Sequence, residues 1–441
     1  MLENWFHLSE NNTTMRREVV GGIVTFLTMS YIIFVQPVML QTTGMDFGAV
    51  MTATCLSSAL ATFIMGVWAN YPVALAPGMG HNAFFAFIVC GRLGISWQAA
   101  LGALLISGLL FLLLGAYGIR SKVMNAIPDS LKFGIAVGIG LMIALTGFEW
   151  AGVVVDDPNT LVSIGVLTNP SVVISGLGLM TALILTCWRA RGAILAGMAV
   201  SAMAALAMGL ISYKGAFSMP PSLAPTFLAL RPQDALALGV MQVIFVFFIL
   251  DLFDTIGTLV GVAELGGFMR GGELPRARQA FMSDAIGTVS GAVLGTSTVT
   301  SYVESCAGIG EGARTGLASV VTSVLFLLAL FFYPLVEMLG KAIEVQPGMQ
   351  VYPIIAPALI MVGFMMMRGV KFIPWDEPTD SIPAFLTIML IAFSFSITEG
   401  IAFGFMSYTL LKIFTGRWRD LNLFLLVISV IFAFRYFYLS I

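Results

Sequence analysis

The sequence predicts an all-α polytopic membrane protein with fourteen transmembrane spans in two inverted seven-span repeats. Three observations predict it: a composition too apolar for a water-covered surface, fourteen apolar runs near the length of a bilayer crossing, and basic residues that alternate between successive loops. Hydrophobic residues make up 59% of the 441 residues, charged residues only 10%, and the mean hydropathy is +0.97. A soluble domain carries roughly 25% charged residues, so this chain could not cover a soluble fold with polar groups. Its 46 glycines suit close helix packing in lipid. The composition excludes a soluble enzyme and a disordered chain, and a net charge of −2 leaves no basic surface for nucleic acid.

A hydrocarbon core of about 30 Å needs about 20 apolar residues per helix. Runs of this kind lie at 19–39, 48–67, 73–91, 97–117, 130–148, 171–188, 192–212, 234–262, 279–293, 296–311, 315–334, 350–367, 382–397 and 399–415. Residues 1–18 are polar and mix Glu3, Glu10 and Glu18 with Arg16 and Arg17. That is not the pattern of a cleavable signal, and the segment reads as cytoplasmic. The tail 416–441 contains an apolar stretch, 421–439, that is a fifteenth candidate. It either spans or lies at the interface, since Arg435, Tyr436 and Tyr438 suit a headgroup zone.

The distribution of lysine and arginine tests the count. With the N-terminus inside, the inside segments hold Arg16, Arg17, Arg120, Lys122, Lys132, Arg189, Arg191, Arg270, Arg276, Arg278, Arg314, Arg368, Lys371, Lys412, Arg417 and Arg419. The outside loops hold Arg92, Lys214, Arg231 and Lys341, so the ratio is sixteen to four. Omitting one span would scramble this alternation. The outside loop 213–232, with Pro220, Pro221, Pro225 and Pro232, is an external linker between a first repeat at 19–212 and a second at 233–415. An odd number of spans per half makes the halves enter from opposite sides, the plan of many secondary transporters.

The third span opens with Ala76-Pro77-Gly78-Met79-Gly80-His81-Asn82 and the tenth with Gly295-Thr296-Ser297-Thr298-Val299-Thr300-Ser301. Both place poor helix formers at membrane depth, where irregular backbone is tolerated only against protein or a water-filled cavity. Two broken spans at matching positions point to a central site. The intramembrane acids are Asp251, Asp254, Asp284 and Glu304. A carboxylate at a helix centre costs about 2.5–3.5 kcal/mol on insertion scales, so each invites a functional explanation. Asp251 and Asp254 share a helix face with Thr255 and Thr258, and two close carboxylates resist double ionisation, which equips them to carry a proton. Glu304 sits at the start of the helical half of the tenth span, favoured there by the helix dipole. Asp284 follows the basic loop and reads as a relay, a brace or the partner of an arginine. Asn82 is placed to cap a half-helix or to bond a ligand. Phe84 and Phe85 pack in the interior or stack on a flat solute.

The chain has no phosphate loop, no HExxH and no Ser-His-Asp set. Its four cysteines lie in apolar stretches as buried thiols, and its two histidines form no metal set with them. No enzyme, cofactor or metal is expected.

The segments 76–85, Asp251-Leu252-Phe253-Asp254-Thr255 and 295–305 resemble the AzgA-like branch of the second nucleobase–cation symporter family, and the resemblance extends to about residue 415. One departure is His81, where the pattern has an apolar residue. The resemblance implies core and gate domains, a homodimer, and a short strand ahead of each half-helix in the third and tenth spans. It implies proton-driven import of adenine, hypoxanthine or guanine across a bacterial cytoplasmic membrane. Asp251 and Glu304 would hold the purine, with the backbone at Tyr302 and Val303, while Thr298 and Asn82 would support the pocket and Phe84 would stack. Asp254 and Asp284 would serve proton coupling or architecture, and the residues themselves suggest that Asp251 titrates while Glu304 stays ionised for recognition. A uracil, xanthine or other small-solute carrier of the same fold, sodium coupling, a passive channel and a sensor stand as alternatives.

Overall fold

The computed structural model of the protein describes residues 2–117, 127–235, 238–269, 274–346 and 349–438. Arg120, Lys122 and Arg270 of the charge alternation lie outside them, as do the side chains of Arg435 and Tyr438. The chain is mostly helical and divides into two compact units. One comprises residues 1–118 and 147–361, the other residues 119–146 and 362–441.

The larger unit begins with α1 (Met15–Met29) and α2 (Ile32–Gln41), which together occupy the predicted first span. Between them the Thr28 hydroxyl bonds back to the Val24 carbonyl at 3.0 Å and the Ser30 hydroxyl to the Leu27 carbonyl at 3.3 Å. Such back-bonding competes with the helical ladder. Next, α3 (Phe47–Ile64) starts at Asp46, whose Oδ1 accepts from the Ala49 N–H at 2.8 Å, an ordinary N-cap. Strand β1 (Leu75–Pro77) leads into α4 (Met79–Ala83), which continues as a π-helix over Phe84–Arg92. Then come α5 (Trp97–Tyr117), α6 (Asp129–Trp150), of which 129–146 belongs to the smaller unit, α7 (Pro170–Cys187) and α8 (Ala193–Ala207). A hairpin of β2 (Val154–Asp157) and β3 (Leu161–Ile164) stands between α6 and α7. After the proline-rich segment come α9 (Leu238–Gly266), α10 (Ala277–Leu294), β4 (Val299–Ser301) and α11 (Ser305–Gly310). They are followed by α12 (Gly316–Ala329), α13 (Tyr333–Leu339), a second hairpin of β5 (Ile343–Gln346) and β6 (Met349–Val351), and α14 (Ala356–Met367).

The two hairpins add strands beyond those expected in the third and tenth spans. In the first, the Asp157 carboxylate accepts the Asn159 and Thr160 backbone N–H groups at 2.8 and 3.0 Å, closing the turn. Those bonds hold its carboxyl below the usual range. A correction concerns the thiols. Cys55 is buried, Cys90 and Cys306 are half-buried, and Cys187, at the end of α7, is exposed.

Among the described residues, seven helical stretches are long and apolar enough to cross a bilayer: 15–41, 47–69, 97–115, 129–150, 170–187, 241–264 and 316–339. Shorter apolar helices lie at 193–207, 378–394 and 423–434. Helices in lipid gain little from burying apolar surface against one another, so close approach and polar contacts carry the packing. At Gly316 a Cβ would fall 1.8 Å from the Gly66 carbonyl oxygen, so no other residue fits. Hydroxyls then staple helices together: Thr322 to the Gly22 carbonyl at 2.9 Å, Ser323 to Ala59 at 2.7 Å, and Ser201 to Ile174 at 3.0 Å. Each is worth about 0.6 kcal/mol, so the staples matter as a set.

The start of α12 has a stronger fastening. The buried Glu18 carboxylate on α1 accepts the backbone N–H groups of Arg314 at 2.7 Å, Thr315 at 3.2 Å and Ala318 at 3.3 Å. These are orphan donors at a helix N-terminus, and charge-assisted bonds are the strong kind.

In the smaller unit, α15 (Pro378–Ser394), α16 (Ile397–Phe414) and α17 (Leu423–Tyr438) follow one another. Lys412 is 3% exposed and pairs with Asp380 at 2.8 Å and Asp420 at 3.3 Å. A buried ammonium needs such partners. Arg417 donates to Glu377 at 2.8 Å and holds that carboxyl below its ordinary range. The predicted tail is helical and packs on α16, with Thr409 and Ser429 hydroxyls 2.8 Å apart and Tyr436 bonded to Glu399.

Replacing Glu18 with Ala leaves three buried N–H groups without an acceptor and is expected to cost about 3 kcal/mol or more. Scanning fluorimetry of the detergent-solubilised protein should show a lowered unfolding temperature, partly restored in Glu18→Gln. An unchanged transition in Glu18→Ala would remove the clamp from the account.

Candidate substrate site at the crossing of two half-helices

Strands β1 and β4 pair antiparallel, with Leu75 opposite Ser301, Ala76 opposite Thr300 and Pro77 opposite Val299. Gly78 N–H donates to the Thr298 carbonyl and Tyr302 N–H to the Ala74 carbonyl, both at 2.9 Å. The strands run in opposite directions, so α4 and α11 leave the crossing in opposite directions with their N-terminal ends beside it. Each strand has a second edge whose backbone groups need partners, and side chains supply them. Thr62 Oγ1 donates to the Leu75 carbonyl at 3.0 Å and accepts its N–H at 2.9 Å. Ser305 Oγ accepts the Ala74 N–H at 3.0 Å, and the Tyr302 hydroxyl donates to the Pro77 carbonyl at 2.5 Å. Thr288 Oγ1 donates to the Val299 carbonyl at 3.3 Å, and Asp284 accepts the Ser301 N–H at 2.9 Å. Pro77 has no N–H to lose, which suits a strand this short.

The four acids predicted from the sequence all lie around this crossing, in different surroundings. Asp284 on α10 is fully buried and accepts from Thr255 Oγ1 at 2.6 Å, Ser301 N–H at 2.9 Å, Ser301 Oγ at 3.0 Å and Thr300 Oγ1 at 3.4 Å. It braces β4 against α9. Asp251 on α9 is 1% exposed and accepts from Thr288 Oγ1 at 3.2 Å. Asp254, one turn later, is 38% exposed. Glu304 is half-buried at the start of α11, and its Oε1 accepts from the Tyr31 hydroxyl at 2.7 Å.

Asn82 is buried, takes a hydrogen bond from Ser297 Oγ on its Oδ1 and lies 3.8 Å from the Met79 sulfur through its Nδ2. It thus ties α4 to the segment ahead of β4. Thr298 is buried and its carbonyl serves the Gly78 N–H. Tyr302 is buried, whereas Val303 is 47% exposed beside Glu304. Phe84 is 1% exposed, its ring edge-on to Phe247 at 5.0 Å, and Phe85 lies 6.4 Å from the same ring.

Two polar residues escaped the sequence reading. Tyr31, between α1 and α2, orients Glu304. Gln36 on α2 is fully buried and donates to Thr296 Oγ1 at 2.9 Å and Ser297 Oγ at 3.0 Å. A glutamine immediately before Pro37 in an apolar run was a signal for it.

Residues 16–407 match a family described as a permease family. The chain belongs to that family. The permease is 42% identical over 435 residues to the adenine permease AdeQ of Escherichia coli (strain K12), spanning 98% of this chain and 96% of that one. It is 38% identical over 440 residues to the guanine/hypoxanthine permease PbuO of Bacillus subtilis (strain 168), spanning 98% and 100%. Its fold matches the transmembrane domain of the bicarbonate transporter BicA of a cyanobacterium with a TM-score of 0.62 at 12% identity, covering 88% of this chain and 97% of that one. The permease is therefore a multi-pass membrane protein with a transporter fold, and a transporter instead of an enzyme. The family agrees with the resemblance carried by residues 76–85, 251–255 and 295–305.

If Asp284 braces the crossing, Asp284→Ala should loosen β4 before the rest of the fold. Hydrogen exchange read by mass spectrometry should then accelerate in peptides covering 297–305. Loss of several charged-acceptor bonds at about 1.5–3 kcal/mol each makes the effect large, and unaltered exchange there would contradict the brace.

Proposed function

We propose that the permease imports purine nucleobases, adenine, guanine or hypoxanthine, together with protons by alternating access. The observation that carries this reading is the pair of partly exposed carboxylates, Asp254 and Glu304, at a crossing of two half-helices in a chain with full-length similarity to purine permeases. A neutral purine presents ring N–H donors, exocyclic groups and a flat apolar face. Glu304, aimed by Tyr31, accepts its N–H groups, and the exposed Val303 borders the same space. Backbone at Tyr302 and Val303 completes the polar contacts. Thr298 and Asn82 hold the crossing in register, and Phe84 with Phe247 forms an aromatic wall. Within the coupling set Asp251, through Thr288, and Asp284, through the Ser301 N–H, secure β4 with their charge unchanged, and Asp254 exchanges the proton. Proton coupling suits this set because a carboxylate whose access to water changes through the cycle changes its hold on a proton.

The topology we propose has fourteen crossings in two inverted repeats, 19–212 and 233–415, with core and gate domains. Residues 1–18 are cytoplasmic, the linker 213–232 is external, and the bacterial cytoplasmic membrane holds a homodimer. Strands at 75–77 and 299–301, one in each half, and the sixteen-to-four distribution of basic residues support it.

The test is uptake of radiolabelled adenine and guanine into proteoliposomes with an inside-alkaline gradient, with hypoxanthine, uracil and bicarbonate as competitors. Accumulation blocked by purines and by a protonophore is expected. Uptake insensitive to every purine would end the proposal. In the same assay Tyr31→Phe should raise the half-saturating purine concentration about tenfold, since a hydrogen bond to a charged group is worth about 1.5–3 kcal/mol. An unchanged value would remove Glu304 from purine recognition.

A further inference from the structure

His81 is the second titratable side chain that the crossing brings to Asp254, and it lies in the half of the chain that supplies none of the four acids. Its side chain is 2% exposed, and neither ring nitrogen has a hydrogen-bond partner among the described residues. A buried polar group left without a partner costs about 1–3 kcal/mol, and native structures hold few of them. The ion-pair partner within reach is Asp254, whose Oδ2 lies 3.8 Å from His81 Nδ1. That spacing suits an ion pair and is too long for a hydrogen bond; an approach of about 1 Å would convert one into the other. The two partners differ in exposure: the Asp254 side chain is 38% exposed and the imidazole 2%.

Gly78 makes the approach possible. A Cβ there would fall 2.7 Å from His81 Nδ1, 2.8 Å from Thr300 Cγ2 and 3.3 Å from Asp254 Oδ2. The gap between imidazole and carboxylate is thus lined by a residue with no side chain. The other charged groups around it are engaged elsewhere. Asp284 on α10 accepts from Thr255, Thr300 and Ser301. Asp251 on α9 accepts from Thr288, and Glu304 on α11 accepts from Tyr31. Tyr302 on the far side of β4 gives its hydroxyl hydrogen to the Pro77 carbonyl.

We infer that His81 and Asp254 together carry the transported proton. The inference rests on the proton-coupled import proposed above. With a neutral imidazole and an ionised carboxylate the pair holds one negative charge; with one proton taken from cavity water it is neutral overall. The proton arrives at the exposed carboxyl and is then shared between Oδ2 and Nδ1. A purine settling over Asp254 displaces the water that solvates the carboxylate. An ionised carboxylate stripped of water is costly unless a partner charge compensates it, so occupancy of the site favours the protonated pair. Linkage makes this reciprocal: the proton strengthens purine binding by the factor with which purine strengthens proton binding. When the site opens to the other side, water returns and both leave.

The experiment compares two transport modes in proteoliposomes holding the full chain. Counterflow of labelled adenine or guanine at equal pH reports binding and alternation without net proton movement. Accumulation under an inside-alkaline gradient reports coupling. In His81→Leu and His81→Gln, accumulation relative to counterflow should fall about fivefold or more, the low end of a linkage factor, and the pH dependence of half-saturation should flatten. Accumulation and a pH profile equal to those of the wild type in either variant would overturn the inference. Loss of both modes in both variants would assign His81 to packing and overturn it as well. Wild-type protein without purine counterflow would overturn the transport reading itself, and with it this one.

Discussion

Unpaired backbone cannot be left in a hydrocarbon interior, and the crossing of β1 and β4 is where this chain confronts that constraint. An α-helix satisfies its own N–H and C=O groups; a pair of three-residue strands satisfies one edge of each. The remaining groups are met by Thr62, Thr288, Asp284, Ser305 and Tyr302, contributed by α3, α10, α11 and the turn after β4. Breaking two spans thus dictates polar residues on the helices around them. Much of the polar content that looked anomalous in the sequence follows from this one requirement.

The same requirement fixes where flexibility is allowed. Glycine at 316 brings α12 onto the π-helical segment Met65–Ala69 at Gly66, and Glu18 collects the free N–H groups at the α12 terminus. These fastenings involve backbone and so resist repacking. Asp254 and Val303 stand apart from these fastenings, with 38% and 47% exposure. A transport cycle needs both: a scaffold that keeps the crossing intact, and a site whose exposure can change.

Much of this was legible in the sequence because the constraint acts on residue type. Proline, glycine and hydroxyl residues at 76–82 and 295–301 marked the two breaks, and scarce acids marked their surroundings. Less legible were residues whose role depends on a partner far along the chain. Tyr31 reads as one more apolar-span aromatic until Glu304 is placed 2.7 Å away. Gln36 has the same difficulty with Thr296 and Ser297. The hairpin at 154–164 lies between two spans, where hydropathy carries no signal for it, although Asp157-Pro158-Asn159-Thr160 flanked by branched residues is a turn signal. The exposure of Cys187 was hidden because an apolar neighbourhood does not say which way a helix end faces.

Residue type also could not sort the four acids, since all were rare charges in apolar surroundings. Their donors do. Asp284 meets three hydroxyls and a backbone N–H and has no exposed surface, so it is held to the part of an acceptor. Changing its protonation would disturb β4 itself. Asp251 is similarly enclosed beside Thr288. Glu304 keeps one strong donor and some access, a combination that orients a carboxylate toward a ligand. Asp254 combines a partly exposed carboxyl with an imidazole that stands just beyond bonding distance. A group can exchange a proton through a cycle only if its loss or gain leaves the surrounding hydrogen bonds intact. By that criterion Asp284, with its four donors, must stay constant for the crossing to survive, whereas Asp254 meets β4 through the Thr300 hydroxyl, which Asp284 also holds, and is the acid best placed to change its charge.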